Sequence, residues 1–303
     1  MAKKFDIACV GHLVYDVRDY VVDFPQPDKT SFMRMPSQFG PGGSAANVAM
    51  NCRKLNHSSG LVANVGEDMH GQFLLSELAM RGVDVSQTRK VKKGRTGLSV
   101  ILIDKKGQVM VIEDAGSADA SKKIPSSYIA QSKWTHMTGC NISWLKQASI
   151  AAHESGVPLS FDPGRAAAHL GMAKLKPILK NVDVLILNQK ELGALTGSQS
   201  KDEIRTLAKK FNLTCILKTG HGPASVCDSI GKMYEVPPFN APSVVDTLGA
   251  GDAFGSGVIC GRLEGLSFYE AIRMGHACAA AKVMNAGAQG MPKREKIRKL
   301  FKF

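Results

Sequence analysis

The stretch Asp246-Thr247-Leu248-Gly249-Ala250-Gly251-Asp252 gathers residue types that can handle a phosphate. Gly249, Ala250 and Gly251 carry little or no side chain, so the backbone can turn sharply and bring its N–H groups against a ligand. The residues that follow, Ala253-Phe254-Gly255-Ser256-Gly257-Val258, read as a helix. A helix start offers unpaired N–H donors and a positive dipole end, both suited to an anion. Asp252 stands in that first turn, where the dipole holds a carboxylate ionised and therefore weakly basic. A phosphate cradle with a carboxylate beside it is what phosphoryl transfer to a hydroxyl requires. The plainer reading is a loop closed by an Asp helix cap, a common arrangement.

Four further sites accompany it. Gly40-Pro41-Gly42-Gly43-Ser44-Ala45-Ala46-Asn47-Val48-Ala49 is a second glycine turn feeding a helix. The pair Gly42 and Gly43 lets a ligand ride close to the backbone, and Asn47 can both donate and accept. Tight helix–sheet packing would use the same small residues. Asp16 follows the apolar run Ile7-Ala8-Cys9-Val10-Gly11 and could accept sugar hydroxyls, although a lone loop Asp is more often a cap or solvated. Asn188-Gln189-Lys190-Glu191 closes another apolar run; Asn188 could reach a phosphate and Glu191 a magnesium-bound water. An ordinary amphipathic helix start reads the same way. Lys218-Thr219-Gly220 ends a third run, or is a simple strand-to-turn exit.

These residues need a frame that brings them together. Apolar runs at 60–65, 134–139, 158–162, 184–188 and 214–218 read as buried parallel strands, with helices between them such as 71–80 and 145–155, and a further helix at 268–284 after Asp252. Strands alternating with helices imply a doubly wound α/β layer, whose ligands sit at the carboxyl ends of the strands. Two segments break the pattern. Residues 13–39 alternate charged and apolar types around Pro25-Gln26-Pro27-Asp28, and 98–113 is a hairpin turning at Asp104-Lys105-Lys106-Gly107. They are expected to pair as a small sheet. The chain then divides into a core of residues 1–11, 40–93 and 117–303, with 12–39 and 94–116 forming the small sheet.

Bulk properties exclude several classes. With 303 residues, 44% hydrophobic, the chain can bury one large α/β core. No run approaches the roughly 20 apolar residues of a membrane span, and the N-terminus lacks an export signal. The 7 cysteines are widely spaced without metal-site spacing, and the 8 histidines are scattered. They read as reduced thiols of a cytoplasmic protein without structural zinc. A net charge of +13 raises the question of nucleic acid, but the basic residues are dispersed. The densest cluster, Lys293 to Lys299, reads with Ile297, Leu300 and Phe301 as a terminal amphipathic helix. The excess charge suits polyanionic small molecules, and nucleic-acid binding is unlikely as the main role.

Taken together, the glycine pair with Ala46-Asn47-Val48-Ala49, Asn188 with Glu191, Lys218-Thr219-Gly220 and the Asp-Thr-x-Gly-Ala-Gly-Asp signature resemble the ribokinase-like carbohydrate and nucleoside kinases, the PfkB family. The resemblance covers nearly the whole length. It implies that Asp252 is the catalytic base, with Gly249, Ala250 and Gly251 as the anion hole. Asp16, Gly42, Gly43 and Asn47 match positions that hold the acceptor's hydroxyls. Asn188, Lys218, Thr219, Gly220 and Gly251 match positions that bind ATP. Glu191 would hold Mg2+ through water, and Asp246 would lie near a monovalent cation such as K+. The small sheet becomes a lid over the acceptor, and its face with Val17, Tyr20, Val22 and Phe32 could pair two subunits.

Two departures stand out. Many sugar kinases of the family carry Asp-Pro-Asn-x-Arg, where this chain reads Asp162-Pro163-Gly164-Arg165. The arginine comes one residue early, so no sugar-phosphate role passes to Arg165. Gly220 and Gly222 are also unusually close, which leaves the outline of the adenine pocket open. The segments 11–16 and 24–31, the Asp-Pro-Gly variant and Asp114-Ala115-Gly116-Ser117 are similar to archaeal broad-specificity nucleoside kinases. The expected reaction is therefore transfer of the γ-phosphoryl of ATP to the hydroxymethyl group of a nucleoside. A kinase of ribose, fructose or ketodeoxygluconate is the alternative, and a non-catalytic nucleotide- or nucleic-acid-binding protein the reading from another class.

Overall fold

Strands that alternate their burial between two faces need cover on both, and β1 (Phe5–Val10) illustrates this. Its Ile7 and Cys9 enter one apolar cluster while Ala8 and Val10 enter another. The structure, a computed structural model, describes residues 3–120 and 123–303; residues 1–2 and 121–122, which the expected core range takes in, lie outside the described residues. In chain order the other strands are β2 (Val14–Tyr20), β3 (Gln38–Gly42), β4 (Ser59–Gly66), β5 (Thr88–Val91), β6 (Gly97–Ile103), β7 (Val109–Asp114), β8 (Ser132–Thr138), β9 (Leu159–Asp162), β10 (Val184–Asn188), β11 (Thr214–Lys218), β12 (Ala224–Cys227) and β13 (Met233–Val236).

The large sheet runs β13-β12-β11-β10-β9-β8-β1-β4-β5. Every pairing from β5 across to β11 is parallel, and β12 and β13 add an antiparallel edge. One face is covered by α1 (Ser44–Lys54), α2 (Met69–Met80), α9 (Ala250–Leu263), α10 (Phe268–Val283) and α11 (Arg294–Leu300). The other carries α3 (Ser126–Ala130), α4 (Ile142–Glu154), α5 (Gly164–Ala168), α6 (Gly171–Leu179), α7 (Gln189–Thr196) and α8 (Asp202–Phe211). This is the doubly wound, mostly parallel α/β arrangement that the strand–helix alternation predicts. Strand order reverses around β1, between β8 and β4, the point at whose carboxyl ends ligands of such sheets bind. No helix among the described residues is long and apolar enough to cross a membrane.

The two irregular segments form a separate four-stranded sheet in the order β3-β2-β6-β7. The hairpin turn lies where the sequence puts it, with the Asp104 carboxylate accepting from the Lys106 and Gln108 N–H groups, each at 2.8 Å. Strand β3 runs past the 39/40 boundary and takes Gly40, Pro41 and Gly42 into the small sheet. The inward residues of β2 are Val14, Asp16, Arg18 and Tyr20. An Asp and an Arg at buried positions of a strand are out of place in a packing face and mark a site. Tyr20 corrects the expected subunit-pairing face: it is buried against Asp246, while Val22 and Phe32 are exposed. In the terminal helix Ile297 and Phe301 are buried as expected, whereas Leu300 points to solvent.

Candidate active site

The glycine corner is shaped by contacts on its far side. Gly249 caps α9 with φ 76°, and a Cβ there would lie 2.8 Å from the Ala288 carbonyl oxygen. Any side chain would therefore pay a conformational penalty and a steric clash together. With the chain turned this way, α9 begins at Ala250 and Asp252 falls in its first turn.

Asp252 meets the second glycine turn. Asn47, one turn into α1, donates from Nδ2 to Asp252 Oδ2 at 2.7 Å. Its Oδ1 accepts from Gln289 Nε2 at 3.1 Å, so the amide is held at both ends. Gln289 in turn donates to the Pro41 carbonyl and accepts from Arg18 Nη1 at 2.6 Å. Burial raises the pKa of Asp252 to about 6; the hydrogen bonds from Asn47 and Ser44 and the Lys218 ammonium oppose the rise, and Asp162 adds to it. This corrects the expectation of a weak base held ionised by the helix dipole. Desolvation works against the dipole, and the carboxylate is a stronger base than usual while still mostly ionised at neutral pH.

Asp16 approaches Asp252 from β2. Its carboxylate lies over Gly42, where a Cβ would come within 1.8 Å of Asp16 Oδ1. Gly42 leaves room for that carboxylate, and neighbouring Gly43 caps α1. Burial lifts Asp16 to about 7, against the pull of Arg18 and with help from Glu113 and Asp252. Asp16 and Asp252 thus sense one another electrostatically, with Asn47 bonded to Asp252.

A second group gathers at the ends of β9, β10 and β11. Lys218 donates to Asp162 Oδ2 at 2.6 Å, and its Nζ would lie 3.4 Å from a Cβ on Gly251. Burial alone would lower the Lys218 pKa, but Asp162, Glu191 and Asp252 raise it above the ordinary lysine value. A fixed ammonium therefore stands beside the anion-binding corner. Asn188 and Glu191 form a reciprocal capping box: Asn188 Oδ1 accepts from the Glu191 N–H at 2.9 Å, and Glu191 Oε2 from the Asn188 N–H at 2.8 Å. The helix-start reading of this tetrapeptide is thus realised, with the buried Glu191 carboxylate raised in pKa chiefly by burial and then by Asp162. The Thr219 hydroxyl donates to the Pro223 carbonyl at 2.8 Å and closes its own loop. Beyond it opens a cleft of about 430 Å³, lined by Gly220, His221, Phe239, Val244, Thr247 and Ala250 among others.

Asp246 lies behind the corner, fully buried. Its Oδ1 accepts from the Leu248 N–H at 2.7 Å, and its Oδ2 from the Gly287 N–H at 2.7 Å and the Tyr20 hydroxyl at 2.9 Å. Among the described residues, no three His, Cys, Asp or Glu side chains gather to hold a metal ion by themselves.

Sequence reasoning missed Asp162, Gln289 and Lys282. Asp162 had a usable signal, since it ends β9 as Asn188 ends β10. Lys282 had one too, as the single charge in the apolar run from Ala277 to Met284. Gln289 reaches Asn47 and Arg18 only through tertiary folding, and nothing local announces it.

The strand ends at the point where the order reverses, a helix N-terminus behind a small-residue turn and a half-buried carboxylate define a phosphotransferase site with an alcohol as acceptor. The sequence model of the pfkB family carbohydrate kinases matches residues 4–294, and the chain belongs to that family. It is 32% identical over 294 residues to an ATP-dependent ribose-1-phosphate kinase of Halopiger xanaduensis, covering 96% of each chain. The fold matches Arabidopsis thaliana ribokinase complexed with ribose and ATP, at a TM-score of 0.86, 26% identity and full coverage of both chains. It also matches the nucleoside kinase of Methanocaldococcus jannaschii, at a TM-score of 0.82 and 22% identity over 99% of this chain and 98% of that one.

Proposed function

We propose that this kinase transfers the γ-phosphoryl of ATP to the primary hydroxymethyl group of a ribofuranose ring that carries a substituent at C1. The observation that carries the reading is the pairing of Asp252 with Asn47 at 2.7 Å, close enough to Asp16 for the two carboxylates to interact. Asp16 and Asn47 would hold ring hydroxyls and leave the hydroxymethyl group against Asp252. Asp252 accepts a hydrogen bond from that hydroxyl, aligns it for in-line attack and takes its proton as the new P–O bond forms. The N–H groups of Gly249, Ala250 and Gly251, with the Lys218 ammonium beside them, oppose charge on the transferring group.

ATP would enter from the cleft at Gly220 and Thr247 and direct its phosphates toward the start of α9. Magnesium that keeps its waters and rides on the nucleotide phosphates needs no protein cage, so Glu191 and Asp162 would serve through water. When bound, it would neutralise phosphate charge. The small sheet acts as a lid that excludes water from the acceptor hollow. Its outer strand β7 exposes Val109, Met110, Val111 and Ile112, an apolar edge suited to a second copy of the chain. Size-exclusion chromatography tests that pairing, and a monomer at micromolar concentration would refute it.

Ribose-1-phosphate is the acceptor favoured by the 32% identical relative and by the net charge of +13, which suits a phosphorylated acceptor. Nucleosides are the second reading, favoured by the segments at 11–16 and 24–31. Both present the same ring and hydroxymethyl group. A panel of ribose-1-phosphate, nucleosides, ribose, fructose and ketodeoxygluconate, read as ADP formed with ATP and magnesium, decides. Higher kcat/KM for either ribofuranoside supports the proposal, and a preference for ribose, fructose or the sugar acid overturns it.

A further inference from the structure

Asp246 stands where the family resemblance implies a monovalent cation, and its surroundings do not suit one. Both carboxylate oxygens already accept hydrogen bonds, from Leu248, Gly287 and Tyr20. The Asp246 carbonyl oxygen, which a bare cation would want as a ligand, accepts from Lys282 Nζ at 2.7 Å. That ammonium lies 3.7 Å from Asp246 Oδ1, and both side chains are fully buried. Arg18 adds a second positive charge nearby, its Nη1 lying 3.7 Å from where a Cβ on Gly287 would stand. At the effective dielectric of a protein site, another unit charge about 4 Å from the ammonium would bind roughly a thousandfold more weakly.

We infer that the Lys282 ammonium takes the place of the monovalent metal ion, so that phosphoryl transfer by this chain needs neither potassium nor sodium. Lys282 sits in the last turn of α10, where the helix dipole also favours a cation. From there it ties the loop that leads into the anion-binding corner to the loop that backs it. The Val245 and Asp246 N–H groups donate to the Val283 carbonyl at 2.7 and 3.2 Å, and Gly249 rests on Ala288. Lys282 is thus a positioning residue: it touches no substrate and fixes the turn whose N–H groups would meet the phosphate.

The test compares potassium chloride, sodium chloride and tetramethylammonium chloride at about 0.1 M, where ionic screening is matched. Wild-type turnover is expected to agree across the three salts within about twofold, a difference of under half a kcal/mol by the usual conversion. Activation by potassium or sodium beyond that would overturn the inference. In Lys282→Met, which keeps the stem and removes the charge, turnover is expected to drop at least about tenfold and to recover in potassium or ammonium but not in tetramethylammonium. A loss of mere packing would show no such ion-selective rescue, and full activity in Lys282→Met would equally refute the role. If that variant does not fold, the wild-type comparison still decides. The inference rests on phosphoryl transfer and not on the choice of acceptor, so thermal unfolding of the wild type is read in the same salts without any acceptor. Equal midpoints are expected, and a potassium-specific rise would overturn the inference even if every acceptor in the panel failed.

Discussion

The signature motif carries two carboxylates, one buried and one half-buried, that do opposite work. Asp246 is fully enclosed: its carboxylate accepts from Tyr20, Leu248 and Gly287, and the Lys282 ammonium stands 3.7 Å from Oδ1. Asp252 is half-buried, with Asn47 and Ser44 as its side-chain donors, and burial makes it more basic. The first is a strut and the second is reactive. Partner count separates them: a saturated carboxylate holds its neighbours in place, and one left short of partners has capacity for a substrate proton.

Substitutions should split the two. Asp252→Asn keeps the shape and the Asn47 contact but removes the base, so kcat should drop by about two to four orders of magnitude while the melting temperature stays within a few degrees. A large loss of stability instead would move Asp252 into the class of Asp246. Asp246→Ala should do the reverse. It strands the buried Lys282 ammonium and three donors, which costs about 3–5 kcal/mol of stability, measurable by denaturant unfolding. If Asp246→Ala folds normally and loses only turnover, the strut assignment is wrong.

Gly42→Ala probes the acceptor side. The added methyl cannot share space with the Asp16 carboxylate, and the resulting displacement of about 1 Å should lower kcat/KM roughly a hundredfold. Unchanged kinetics would mean that Asp16 does not hold the acceptor. The smallest effect is in the pH profile. Asp16 and Asp252 have pKa values raised to about 7 and about 6, and both are needed ionised. Activity is therefore retained at higher pH and lost as pH falls. The kcat/KM of the free enzyme should decline below about 7 and steepen below about 6, earlier than ordinary carboxylates near 3.8 would allow. A profile flat down to pH 5 would contradict both shifts.

Legibility in the sequence followed locality. The parallel strands, the hairpin at 98–113 and the helix after Gly251 were readable because apolar period and turn chemistry are short-range signals. Motif residues at strand ends were readable because the sheet topology carries them to one edge. What escaped depends on contacts across the chain. Tyr20 reads as a surface aromatic until the fold sets it against Asp246. The hydrogen bonds that enclose Asp246 appear only with coordinates. The basicity of Asp252 was misjudged because the helix dipole is visible in sequence and desolvation is not.

The most direct test of Asp252 as the base for a ribofuranoside hydroxymethyl is proton-coupled 31P NMR of the product, made in parallel by wild type and Asp252→Asn. The account predicts a new phosphomonoester resonance split by the two protons of a CH2 group in the wild-type reaction, absent over the same period with the variant. A resonance split by a single ring proton, or equal product from the variant, would contradict it.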